Sequence, residues 1–241
     1  MSRKYTGNIG QIDLQFQFRF EDTSRYFKNW LSECTEDILN PVQVTQQDFD
    51  DQKRWGLIEN SYVEFLLSAY RTCDYLLKYS RCIFHGAVFL WKGKAFIFTA
   101  QSGVGKSTQL FHWLKLYGDE IKIMNGDKPV LYSESSRVIV YPSPWKGKEG
   151  LGSDSLTAPL GGIIILEQGK ENHIERLIPQ KSVPQLLMRI LFTAETEESV
   201  RNAGRMIEAI VMSVPVWKLI NKGDADSAKL THETIRKELN L

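Results

Sequence analysis

Two periodicities mark the first predicted elements of the chain. In residues 9–20, apolar and polar side chains alternate, and the apolar positions are Ile12, Leu14, Phe16, Phe18 and Phe20. Because successive side chains of a strand point to opposite faces, this period of two predicts a half-buried strand. In residues 61–80 the apolar side chains recur at helical spacing, which predicts a packing helix.

A predicted hairpin leads into a glycine-containing loop. Two apolar runs flank the turn Lys92-Gly93-Lys94, and the second run ends at Thr99. The sequence AQSGVG follows, and a helical pattern then extends from Lys106 to Gly118, which is a plausible stop for the helix. A strand, a glycine loop, a Lys-Ser pair and a helix come in this order in phosphate-binding loops.

The residue types of this loop suit a bound phosphate. Gly103 and Gly105 allow backbone N–H groups to turn around an anion, and the positive end of the next helix points to the same place. Lys106 can reach the β- and γ-phosphates of a nucleotide, and the Ser107 hydroxyl can ligate Mg²⁺. The predicted nucleotide-binding residues are Ser102, Gly103, Val104, Gly105, Lys106, Ser107 and Thr108. Ala100 stands where the full motif begins with glycine.

The rest of the chain predicts an α/β fold with a mixed sheet and a largely helical C-terminal tail. The predicted strands are residues 121–124, 129–132, 137–141, 161–166, 173–177 and 216–220, with a turn at Gln168-Gly169. The predicted helices are residues 183–193, 197–212 and 224–239. Since ligands gather at the carboxyl ends of strands in open α/β sheets, Asp127 is well placed to face a nucleotide.

Composition restricts the functional classes. The chain has 241 residues, 30 basic and 29 acidic, with a net charge of +1, which argues against a nucleic-acid-binding surface as its main function. The three cysteines form no CxxC pair, which is typical of a reducing cytoplasm. Neither a signal peptide nor an apolar stretch of about 18 residues is evident, so we expect a cytoplasmic protein without a membrane span.

Several segments from His85 onward resemble HPr serine kinase/phosphorylases. They are HGAVFLWKGKAFIFTAQSGVGKST, NGDKPVLY, PWKGKEG and PLGGIIILEQG, and together they look closest to small stand-alone kinases found with ribosomal peptide pathways. The resemblance covers about residues 83–223. It implies a phosphoenolpyruvate-carboxykinase-like domain at residues 81–241, with residues 1–80 as an N-terminal strand/helix appendage. It also implies ATP, Mg²⁺ and phosphoryl transfer to a serine of a peptide or protein.

The resemblance also assigns roles to residues. Lys106 and Ser107 hold phosphates and metal. HPr kinases carry two adjacent aspartates where this chain has Gly126-Asp127, so Asp127 is the base, a metal ligand with Ser107, or both. The alternative is a turn residue that caps Lys128-Pro129. Either Glu149 supplies the second carboxylate or catalysis is weak. The loop that contains Glu149 either closes on the substrate or is simply solvated. His85 lies near the acceptor by resemblance, although a histidine at a strand start is more often structural.

Three other functions stay open from the sequence. A small-molecule kinase or carboxykinase-like enzyme fits because a fold alone does not choose the acceptor. A GTP-binding switch is suggested by Asn221-Lys222-Gly223-Asp224, which matches NKxD, but no DxxG segment accompanies it. A non-catalytic nucleotide sensor is suggested by the missing aspartate. The sequence does not identify the phosphate acceptor or show whether the reverse reaction, dephosphorylation, occurs. It also leaves open whether the helical tail forms a homo-oligomer.

Overall fold

A mixed nine-stranded sheet lies at the centre of the computed structural model, which describes residues 3–35, 40–51 and 58–241. Its strands are β5 (Arg81–Ile83), β6 (Ala87–Trp91), β7 (Lys94–Thr99), β8 (Lys122–Asn125), β9 (Val130–Glu134), β10 (Arg137–Tyr141), β11 (Ala158–Gln168), β12 (His173–Leu177) and β13 (Val216–Asn221). The main order is β5-β9-β10-β11-β7-β6-β8, and β13 joins β11 to β12. The structure therefore confirms the expected α/β class with a mixed sheet.

A second, four-stranded sheet is formed by the N-terminal region. Its strands are β1 (Lys4–Ile9), β2 (Ile12–Gln17), β3 (Ser32–Cys34) and β4 (Pro41–Gln43), in the order β3-β1-β2-β4. The strand predicted at residues 9–20 is observed only as Ile12–Gln17. A turn at Gly10 and Gln11 precedes it. After β2, the buried carboxylate of Glu64 accepts bonds from the N–H groups of Arg19 and Phe20, at 2.7 and 3.1 Å. A 3-10 segment, Glu21–Trp30, then begins.

The two predicted hairpins are confirmed. β6 pairs antiparallel with β7 around Lys92 and Gly93, and β9 pairs antiparallel with β10. The chain also turns after β11, but β12 lies beside β13 and not beside β11. The reason is that the second half of β11 already pairs with β7 on one edge and β13 on the other, both parallel.

Helices cover both faces of the large sheet. They are α1 (Gln46–Asp51), α2 (Asn60–Lys78), α3 (Lys106–Tyr117), α4 (Pro179–Leu187), α5 (Glu197–Ser213) and α6 (Ala225–Leu239). The helix predicted at residues 183–193 is observed as α4, which begins at Pro179 and ends at Leu187. Beyond it the backbone runs beside β5, where Leu191 N–H donates to the Ile83 carbonyl at 3.0 Å and Ile190 bridges Phe84. Among the described residues, no helix is both long and apolar enough to cross a membrane.

Three large apolar clusters of described residues stabilise this arrangement. One packs α4 and α5 against the large sheet, and another packs α3 and α6 around Trp113. The third joins the small sheet and α2 to the large sheet, since Phe16, Phe65 and Val130 belong to one buried cluster. The predicted division at residue 80 stays a prediction, and this shared cluster crosses it.

Candidate active site

The glycine loop connects the central strand β7 to the helix α3. Gly103 and Gly105 have φ angles of +81° and +112°, a region that glycine enters without steric cost. A Cβ atom added to Gly103 would meet no atom within 4 Å, so the space beside this residue is open. Ala100 is fully buried and lies outside the positive-φ residues, which explains how alanine replaces the first glycine of the motif.

A cavity of about 650 Å³ opens above this loop. It is lined by nine of the residues predicted from the sequence: His85, Ser102, Gly103, Gly105, Lys106, Ser107, Thr108, Asp127 and Glu149. Val104 is the exception, because its side chain packs against the apolar cluster under the loop. Its N–H group donates to the Gln101 carbonyl at 3.4 Å.

Lys106 brings to the cavity a positive charge that is not part of an ion pair. Its side chain forms no ion pair with any carboxylate in the described part of the chain. Burial lowers its pKa, the charge of Asp127 opposes that shift, and the charges of Arg189 and Lys128 add to it. A half-buried ammonium group among further cations is a site that favours a polyanion.

Asp127 supplies the cavity with an ionised carboxylate. His85 Nε2 lies 3.2 Å from Asp127 Oδ1, and the Lys128 ammonium group contacts Oδ2. Burial acts to raise the pKa of Asp127, but the bonds and charges of His85 and Lys128 outweigh it and lower the pKa to about 2. The carboxylate is therefore a hydrogen-bond acceptor and potential metal ligand at neutral pH.

Buried hydrogen bonds fix the backbone beside Asp127. The fully buried Asn125, at the end of β8, accepts from the N–H groups of Asp127 and Lys128, both at 2.8 Å. The Gly86 N–H donates to the Asp127 carbonyl at 2.8 Å, and the His85 N–H donates to the Arg189 carbonyl at 2.7 Å. These bonds hold the His85–Asp127 pair in place.

The loop of residues 145–152 forms the opposite wall. Its first residue, Trp145, is buried and donates from Nε1 to the Phe65 carbonyl of α2 at 2.9 Å. Lys146 donates to the Gly152 carbonyl at 3.0 Å and pairs with Asp154 at 2.5 Å. The base of the loop is thus anchored, while Lys148 and Glu149 are exposed at the cavity.

Close packing explains why a glycine precedes Asp127. A Cβ atom at Gly126 would lie 2.7 Å from the Lys146 carbonyl oxygen, and the Gly126 N–H donates to the Leu151 carbonyl at 2.9 Å. An aspartate at position 126 would require this loop to move. In the described cavity, Glu149 is the other carboxylate beside Asp127.

Some cavity residues were missed by the sequence reasoning. Ile58, which precedes α2, and Tyr62 and Leu66, near the start of α2, line the cavity, and no local pattern separates them from their neighbours. Lys128 could have been noticed as a cation adjacent to Asp127. No sequence pattern indicated Arg189, because only the path of the chain after α4 brings its charge close to Lys106.

The NKxD segment has local structural partners. The Asp224 carboxylate accepts from Ser227 N–H at 3.1 Å and from Asn172 at 2.8 Å, which caps α6. Asn221 accepts from the Gly223 N–H at 3.0 Å. None of these residues lines the cavity.

The oxygen atoms of the cavity suit Mg²⁺. In residues 3–35, 40–51 and 58–241, no group of three or more His, Cys, Asp or Glu side chains is arranged to hold a metal. Ser107 and Asp127 nevertheless line the same cavity. Mg²⁺ is commonly held by one or two protein oxygens together with waters and substrate phosphates, so this pair fits.

Comparison with known proteins finds similarity among solved structures. No protein-family model matches the sequence, and no curated protein matches it. The structure resembles the HPr(Ser) kinase/phosphatase from Coxiella burnetii, with a TM-score of 0.39 and 10% sequence identity over 65% of this chain and 89% of that chain. A similarity at this TM-score does not define the function of the chain.

Proposed function

We propose that this protein is an ATP- and Mg²⁺-dependent kinase that transfers the γ-phosphoryl group to a serine hydroxyl of a peptide or protein. The observation that carries the proposal is the convergence of the glycine loop, the unpaired Lys106 and the ionised Asp127 on one cavity. Phosphoryl transfer depends mainly on positioning and charge stabilisation, which these groups provide.

Each residue has a defined part in this reaction. Backbone N–H groups of the loop and the Lys106 ammonium group bind the triphosphate. Ser107 and Asp127 would hold Mg²⁺, which neutralises phosphate charge when bound. The serine oxygen forms a bond to the γ-phosphorus as the bond to the bridging oxygen breaks and ADP leaves. The hydroxyl proton passes to Asp127 and then to solvent.

The low pKa of Asp127 decides when the proton moves. A carboxylate with a pKa of about 2 is too weak a base to deprotonate serine before the reaction begins. It can orient the hydroxyl through a hydrogen bond and accept the proton as the new P–O bond forms, which suits a loose transition state. His85 holds the carboxylate in position.

Asp127→Asn is the direct test of this assignment. We expect transfer from ATP to a serine-peptide library, measured by peptide mass, to fall at least about a thousandfold. Calorimetry should show that ATP affinity changes only a few-fold, because Lys106 and the loop are unaltered. Asp119→Asn, at an exposed aspartate, is the matched control. Unchanged turnover of the Asp127 variant would refute the assignment.

The alternative functions give different results in the same assays. Tight ATP binding without transfer to any peptide would indicate a nucleotide sensor. Transfer to a free small molecule would indicate a small-molecule kinase. Preference for GTP over ATP would support the NKxD segment as a guanine-binding motif.

A further inference from the structure

A second groove opens beside the candidate active site, between the 3-10 segment, the start of α2 and the loop of residues 145–152. We call it the side groove, and its volume is about 560 Å³. Its wall includes Tyr26, Lys28, Trp30, Tyr62, Lys148 and Asp154. Ile58, Tyr62, Gly147 and Lys148 line both the groove and the active-site cavity, so the two spaces adjoin.

Aromatic side chains form much of the side groove. Tyr26, Trp30 and Tyr62 are half-buried, and the rings of Tyr26 and Tyr62 lie 5.1 Å apart. Tyr62 stands at the junction with the active site: burial, and secondarily the charge of Asp127, raise its pKa. Such rigid, partly exposed rings supply contact area for a ligand at low entropic cost.

Two of the four cations in the side groove form no ion pair. Arg25 pairs with Glu59 at 2.8 Å, and Lys146 pairs with Asp154 at 2.5 Å. By contrast, Lys28 and Lys148 are exposed and form no ion pair with any described carboxylate, although the charge of Lys28 contributes to lowering the pKa of Asp154. The groove therefore offers two exposed ammonium groups beside its aromatic wall.

Lys28 is held in a strained conformation. Its φ of 52° and ψ of −119° interrupt the 3-10 segment, in a region that non-glycine residues rarely occupy. Phe27 next to it is fully buried against Phe65 and Trp145, which fixes this part of the backbone. The strained residue is thus one of the two unpaired cations of the groove.

We propose that the side groove binds the residues of the acceptor peptide next to its serine, and that acidic side chains in this segment pair with Lys28 and Lys148. The inference rests on the proposed kinase function, because it places the serine at Asp127. The groove adjoins the cavity in which the serine would lie, so its occupant is the peptide segment next to that serine.

Two peptides of identical length test the charge preference, one with glutamates flanking a serine and one with lysines. We expect the wild type to show a kcat/KM roughly tenfold higher for the acidic peptide, as two partly exposed ion pairs allow. Lys28→Glu should remove most of this preference. Lys170→Glu, at an exposed lysine in the turn before β12, should retain it. Equal use of both peptides by the wild type would overturn the proposal.

A binding assay separates the groove from the catalysis. Fluorescent versions of both peptides carry alanine in place of serine, and their affinity is measured by anisotropy. Preferred binding of the acidic peptide, weakened by Lys28→Glu, would support the groove even if no serine peptide were phosphorylated, a result that would refute only the kinase function. No binding, or stronger competition by a single-stranded oligonucleotide than by the acidic peptide, would overturn the groove assignment.

Discussion

The loops of residues 100–105 and 145–152 line the same cavity, but their glycines have different surroundings. A Cβ atom at Gly103 would meet no atom within 4 Å, whereas one at Gly152 would lie 2.5 Å from the Met124 carbonyl oxygen. One at Gly147 would lie 3.1 Å from the Asp127 Cβ. The space beside Gly103 is open, as it also is at Gly150 of the second loop, whereas Gly147 and Gly152 allow the second loop to pack closely against Asp127 and β8.

The two loops also hold their lysines differently. Lys106 starts α3 and is half-buried with a lowered pKa, while Lys148 is exposed in the wall that the cavity shares with the side groove. A charge that is removed from water acts more strongly on a bound anion than a solvated charge does. We therefore propose that the first loop chiefly binds the triphosphate and that the second contacts the substrate.

The largest expected effect comes from comparing Lys106→Ala with Lys148→Ala. The Lys106 variant should lose at least about a thousandfold in transfer with every peptide, because its charge stabilises the phosphates. The Lys148 variant should lose about tenfold or less. Steady-state kinetics with ATP and a serine peptide measures both. Similar losses in the two variants would erase the distinction between the loops.

A smaller effect, on stability, should distinguish the glycines. Gly152→Ala forces a Cβ atom against backbone atoms at a φ of +127° and should lower the free energy of unfolding by about 3 kcal/mol. Gly103→Ala meets no atom and should cost only about 1 kcal/mol, from its positive φ. Urea unfolding of both variants checks the difference. An equal cost at both positions would contradict the packing argument.

The smallest effect concerns Asp127, which lies between the loops. Its folded-state pKa of about 2 is below the ordinary 3.8, so its ionised form stabilises the fold above about pH 4, and this contribution is lost as pH falls through 2. The full contribution is roughly 2 kcal/mol, of which about half is lost by about pH 3. The stability advantage of the wild type over Asp127→Asn should shrink accordingly between about pH 7 and 3 in urea unfolding. A constant difference would exclude the ionised pair with His85 and Lys128 as its source.

Local sequence patterns predicted much of the fold near the site. The hairpin β6–β7, the glycine loop and α3 follow from periodicity and from residue types whose conformational preferences act over a few positions. The residues chosen for the cavity came from the same short segments and from the family resemblance, and all except Val104 line it. Their functional roles remain predictions.

Contacts between distant segments decided the rest. The position of β13 between β11 and β12 and the early end of α4 depend on which strand edges were already paired. Trp145 bonds to Phe65 across 80 positions of the chain, and Tyr62 reaches the cavity from the N-terminal region. The sequence by itself determined the phosphate-loop candidate, because its signal is local. Only the tertiary structure showed the His85–Asp127 pair, the packing at Gly126 and the side groove, because close contacts between distant residues leave no local periodicity.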